Sequence, residues 1–182
     1  MIVASMLWRR LDMPGHDACR LEQEAFGWRL QGTAVFRLGG QPAHLAYAVT
    51  CGNGWKTVSG HVSGVIGARA VEHLITRERE LWRLDGEAVP GLERLDDLDL
   101  SFTPATNLLQ LKRAVLPIGQ AVRLPAAWLN LETGALTALE QIYERRSEFE
   151  LYYRAPEVGY EGLLELAPNG FIRRYPGLWE VE

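Results

Sequence analysis

The chain has little of several things, and each shortage narrows the reading. It has only two cysteines in 182 residues, Cys19 and Cys51. They allow one bridge at most, which is no disulfide framework. There is no surplus of basic charge: 19 Lys and Arg stand against 23 Asp and Glu, a net charge of -4. That balance argues against nonspecific nucleic-acid binding and against docking on an anionic membrane. No apolar run approaches the ~20 residues of a membrane span. The N-terminus lacks a basic leader, and the apolar run from Ile2 to Trp8 stops at Arg9-Arg10 without a small-residue cleavage site. No signal peptide is read, and the expected compartment is the cytoplasm, with both thiols reduced. The four histidines, at 16, 44, 61 and 73, form no His-x-x-x-His pair and have no Cys-x-x-Cys companion. Neither a zinc site nor any other cofactor is expected. A Gly-x-Ser-x-Gly nucleophile elbow is missing too.

What remains is ordinary in bulk, with 47% hydrophobic and 23% charged residues. This suits one globular domain over residues 1–182. The local pattern is that of short strands and tight turns. A first strand is expected over Ser5–Met13, ended by Pro14-Gly15, and a second from Cys19 to Glu24. His16, Asp17 and Cys19 together suggest a nucleophile with its base, but the turn expected there does not align them. From Gly27 to Leu38, Trp28, Leu30, Gly32, Ala34, Phe36 and Leu38 alternate with mostly polar residues, a period of two. Gly39-Gly40, Asn53-Gly54, Asp85-Gly86 and Asn169-Gly170 are hairpin signals. Gly60, Gly64 and Gly67 do not space as a phosphate loop and read as bulges or sheet coiling. Residues 69–84 carry both helical and strand spacing; their neighbours favour strand. The charge run Arg77–Glu80 reads as a solvated stretch. Gln120–Leu131 reads as strand, with Pro125 pointing to an edge or bulge. Residues 135–146 permit either a helix or a strand. Evenly spaced turns predict a mainly β fold.

One stretch breaks the habit. In Asp96–Arg113, Thr103-Pro104 reads as a helix start, with threonine as N-cap and proline at the first helical position. Lys112 and Arg113 suit the negative end of the dipole, and Pro117 stops continuation. One short helix is expected near residues 104–114.

The segment Asp97-Leu98-Asp99-Leu100-Ser101-Phe102-Thr103-Pro104-Ala105-Thr106-Asn107 resembles the central signature of a bacterial family labelled putative glycolipid-binding. Trp55-Lys56-Thr57, Trp82–Gly86, Gln141-x-Tyr143-x-Arg145 and the closing Tyr175-Pro176-Gly177-Leu178-Trp179 match in the same order. Leu108, Gln110 and Lys112 depart from it, standing where the family has threonine, proline and arginine. A lysine does not reproduce a planar guanidinium contact. The resemblance implies a single, strongly curved antiparallel sheet, a spiral roll or half-barrel, around a trough. It is similar in outline to lipoprotein-carrier folds.

Such a trough suggests a non-enzymatic binding protein for a lipid-like or glycolipid-like amphipath. Each buried methylene would contribute ~0.8 kcal/mol, and rim side chains would read a head group. The candidate ligand residues are Trp8, Trp55, Asp99, Thr103, Asn107, Arg113, Trp128, Tyr143, Tyr175 and Trp179. Against this stands ordinary packing: aromatics in sheets are usually core, and Asp97, Asp99 and Thr103 complement a helix N-terminus while Asn107 binds turn backbone. Two alternatives stay open. One is a hydrolase or isomerase of a small apolar metabolite using Asp97 or Asp99, with Arg113 or Tyr143 nearby. The other is a protein-interaction module with a filled core.

Overall fold

The computed structural model describes all residues 1–182. Strands follow one another from the start: β1 (Ile2–Arg10), β2 (Gly15–Glu24), β3 (Gly27–Leu38), β4 (Gln41–Gly52), β5 (Thr57–Ile66), β6 (Arg69–Glu78), β7 (Leu81–Leu84) and β8 (Glu87–Ala88). The middle holds β9 (Leu98–Leu100), helix α1 (Asn107–Arg113), β10 (Ala121–Arg123), β11 (Ala126–Asn130) and β12 (Ala135–Leu139). The chain closes with β13 (Ile142–Arg145), β14 (Glu150–Ala155), β15 (Tyr160–Leu166), β16 (Ile172–Tyr175) and β17 (Trp179–Val181).

The fold is mainly β, but it is two sheets rather than the single one expected, and neither is the strongly curled roll or half-barrel that the resemblance implies. Fourteen strands form an antiparallel sheet in the order β10-β13-β14-β15-β16-β17-β1-β2-β3-β4-β5-β6-β7-β8. A second sheet, β12-β11-β9, includes the parallel pair β9–β11. The split has a local cause. Leu124-Pro125 interrupts the strand expected over residues 120–131, and the chain leaves the large sheet there for the small one. It returns between Leu139 and Ile142, which settles residues 135–146 as two strands in different sheets. Residues 69–84 are strand, as their neighbours suggested, but fold as a hairpin whose turn falls at Arg79-Glu80, inside the charge run.

Period-two alternation decides which residues line the core. Asp17, Cys19 and Leu21 point inward from β2, and Leu30, Ala34 and Phe36 do so from β3. Gly39 and Gly40, with φ of 54° and 80°, give the paired left-handed turn that a tight hairpin needs. At Asn53-Gly54 the expectation shifts: the left-handed residue there is Trp55, with φ 65°. Its strain is held in place by a stack on Trp28, ring centroids 4.3 Å apart.

The segment from Asp96 to Arg113 lies against both wings of the large sheet. Thr57 of β5 accepts a hydrogen bond from the Leu98 backbone at 3.0 Å, and Tyr143 of β13 accepts one from Asn107 at 2.7 Å. Gly60 makes the approach possible, because a β-carbon there would lie 2.2 Å from Leu98 Cδ2. One contiguous cluster of 39 buried residues draws on both sheets and on α1. The helix is shorter than expected. Thr103 is not its N-cap: α1 begins after Thr106, which makes no side-chain cap bond, while Lys112 and Arg113 do fall in the last turn.

Candidate functional site

Three buried polar knots tie the central segment to the sheets. In the first, Asp17 is completely buried and has no cation beside it. Its carboxylate accepts hydrogen bonds from the hydroxyls of Tyr47 and Thr103. Burial outweighs both and pushes the Asp17 carboxyl up to about 7. Thr103 also accepts the Ala105 backbone N–H at 3.0 Å, so one hydroxyl fixes the turn and joins it to β2 and β4. Gly32 leaves the space for Tyr47, since a β-carbon there would come within 2.4 Å of its hydroxyl.

The second knot centres on Asp99. Thr106 donates to its carboxylate at 2.6 Å and the Gln141 amide donates to the other oxygen. Beyond Gln141 lies the Tyr143 hydroxyl, which receives the Asn107 amide and faces Gln110 Oε1 at 2.7 Å. Burial raises both the Asp99 carboxyl and the Tyr143 phenol above their ordinary ranges. In the third knot Arg113 forks onto Asp97, with Nη2–Oδ2 at 2.6 Å. Asp96 beside it takes Arg77 at 2.7 Å and Lys56 at 3.1 Å. The Asp97 carboxyl still sits above its usual range, because burial exceeds what Arg113 offsets.

The ten candidate residues therefore scatter. Asp99, Asn107 and Tyr143 meet in one network, Thr103 belongs to the Asp17 knot and Arg113 to the Asp97 pair. Trp8 is wholly buried, its indole N–H bound to the Ile172 carbonyl at 2.6 Å. Trp179 is buried under the Arg10 guanidinium, 4.8 Å from the ring centre. Tyr175 packs with Tyr153 and Tyr160. Trp55 caps Trp28, and Trp128 lies half-buried on β11. Asn107 bonds a side chain, not turn backbone. His16 and Cys19 fall on opposite faces of β2, not in a turn: His16 reaches Glu182 outside while Cys19 is buried. Asp17, Tyr47 and Gln141 are members of these knots that were not among the candidate residues. Gln141 has a signal in the Gln-x-Tyr-x-Arg strand and Asp17 in the His16-Asp17-Cys19 cluster, there pointing to a different role; Tyr47 has none. No group of three or more His, Cys, Asp or Glu side chains is placed to hold a metal ion. No helix is long and apolar enough to cross a membrane.

The central segment packs against the large sheet at Thr57 and Tyr143, and the hollows lie at the surface. Two adjoin at the C-terminal end of α1, of 220 and 500 Å³, sharing Leu111, Lys112, Arg145 and Glu148. Val115 and Ile118 in the second are 88% and 63% exposed, and Phe149 borders the first. A larger hollow of 580 Å³ crosses the outer face of β1–β5 over Ala18, Ala46 and Ala48. It offers less to an amphipath: its lining holds no exposed large apolar side chain, Arg20 is bound to Glu22, and Arg29 to Gln31.

No curated protein matches the chain. A crystal structure of a DUF1089 family protein, PA1994 of Pseudomonas aeruginosa, superposes with a TM-score of 0.80 at 21% identity, covering 91% of each chain. At that identity the likeness concerns the fold. A family model described as putative glycolipid-binding matches residues 5–181, nearly the whole chain, and the chain belongs to that family.

Proposed function

We propose that the protein is a non-enzymatic binder of a lipid-like or glycolipid-like amphipath, held at the α1 end rather than inside the sheet. The Asp96–Arg113 segment is tied to the large sheet at Thr57 of β5 and Tyr143 of β13, which leaves the ligand the surface beside α1. The observation that carries the proposal is the pair of adjoining hollows beside α1. There Leu111, Val115, Leu116 and Ile118 leave apolar surface open to solvent next to the cations Lys112 and Arg145. Exposed apolar surface of this kind marks binding sites more often than chance placement. A tail that buried five methylenes there would gain about 4 kcal/mol. The family description points to the same ligand class. Asp97 and Asp99, the acids available for hydrolytic chemistry, are engaged by Arg113, Thr106 and Gln141.

The test is mass spectrometry of the organic extract of protein purified from its native host and denatured. An amphipath at near-stoichiometric amount is expected, and Ile118→Glu should lower its yield severalfold. An empty extract, together with no binding of decyl-chain detergents by calorimetry, would refute the reading.

A further inference from the structure

We infer that this site takes an amphipath whose head group is anionic, a phosphate or carboxylate seated between Lys112 and Arg145; the inference rests on the reading just given. Lys112 and Arg145 both border the two hollows. Neither has a carboxylate within ion-pair distance, whereas their sequence neighbours do: Arg113 pairs with Asp97 and Arg146 with Glu144. Arg145 is held in place by backbone alone. Its Nε donates to the Ser147 carbonyl at 3.1 Å and an Nη to the Glu148 carbonyl. Those bonds lock the guanidinium plane without neutralising its charge, and a preorganised fork is what a phosphate or carboxylate matches.

Lys112 is positioned by a different device. Its side chain lies over Gly170, in the turn between β15 and β16: a β-carbon there would sit 3.3 Å from both Cε and Nζ. Gly170 also has φ 92°, so the Asn169-Gly170 turn supplies both the left-handed residue and the space for the lysine. Part of the Lys112 charge offsets the negative end of α1. Glu148 is the acid in the groove, exposed and unpaired, and it disfavours a second anion on its own side. The seat therefore lies toward the two cations, with Leu111, Val115 and Ile118 beyond them for a tail. The whole chain carries a net charge of -4, so attraction of an anion here is local, not a bulk property.

The experiment is titration calorimetry below the critical micelle concentration with decyl phosphate, decyl maltoside and inorganic phosphate. Decyl phosphate should bind about tenfold more tightly than decyl maltoside, and added salt should narrow that ratio. Lys112→Gln and Arg145→Gln should each bring the ratio toward one, and Arg145→Lys should restore part of it. Lys112 is exposed, so its variant tests the idea even if the Arg145 variants fold poorly. Equal binding of the two detergents would overturn the anionic preference and leave the amphipath reading standing. Inorganic phosphate binding as tightly as decyl phosphate would overturn the joint head-and-tail site. Failure of both detergents to bind would remove the reading on which this inference stands.

Discussion

Asp17→Asn isolates a buried carboxyl that has no cation beside it. The carboxyl is completely buried and meets only hydroxyls, and its pKa lies at about 7 against an ordinary 3.8. As pH rises from 3.8, the unfolded chain releases this proton first and the folded chain keeps it. The native state then binds more protons, so its stability falls with each pH unit until the folded group also ionises near 7. At about 1.4 kcal/mol per unit, the wild type loses roughly 2.5 kcal/mol through this one group between pH 5 and pH 8. Asparagine keeps the shape and cannot ionise. At pH 5 the variant should match the wild type within about 1 kcal/mol, because Tyr47 and Thr103 can turn their hydroxyls to either partner. At pH 8 it should be the more stable of the two. Urea unfolding midpoints for both proteins across that range measure the difference directly. Other groups that titrate alike in both proteins, Asp97 and Asp99 among them, cancel in the comparison. A variant whose loss of stability with pH parallels that of the wild type would refute the assignment of this slope to Asp17.

Gly32→Ala should destabilise by about 1–3 kcal/mol, because its new methyl meets the Tyr47 hydroxyl and must displace it from Asp17; thermal unfolding reads the change. Arg113→Leu strips the cation from buried Asp97 and should cost about 3 kcal/mol at neutral pH. The loss should shrink as pH falls and Asp97 takes a proton, which denaturant melts at two pH values would detect.

Where the sequence was legible, the information was local. β3 has the expected bounds because period-two alternation and Gly39-Gly40 depend only on neighbours. Residues 69–84 looked half helical because Leu74, a large apolar residue, falls on the outer face of β6, where it is 52% exposed. Leu81 of β7, 37% exposed, adds to it, and the two outward leucines together with buried Val71, Ile75 and Trp82 make the 3.6-residue spacing. The two-sheet split was hidden because β9 pairs in parallel with β11 across a helix and another strand, a non-local contact with no pattern of its own. The helix start was misread for a related reason. Thr103 has the composition of an N-cap, but its hydroxyl goes to Asp17, 86 residues away. Most of the site evidence has the same origin. Trp8 and Tyr143 are enclosed, as the ordinary packing of sheet aromatics implies, but their partners Ile172 and Asn107 are distant in sequence and carry no local pattern.

Gln110 tests how far the buried knot depends on each member. It is wholly buried; its Oε1 faces the Tyr143 hydroxyl and its Nε2 has no partner. An unsatisfied buried donor costs about 1–3 kcal/mol, comparable to or more than the ~1 kcal/mol net worth of the hydrogen bond that the same amide makes. Tyr143 has a second acceptor available, Gln141 Oε1 at 3.2 Å. Gln110→Leu should therefore be neutral or stabilising, even though it removes a polar residue from a polar network. Tyr143→Phe is the contrast: it leaves the Asn107 amide without its acceptor and should lower stability by about 1–3 kcal/mol. Melting temperatures of the two variants decide the matter. A large loss for Gln110→Leu would mean that the amide nitrogen has a partner after all, a buried water between α1 and β13, and that the knot extends further toward the groove than its direct contacts reach.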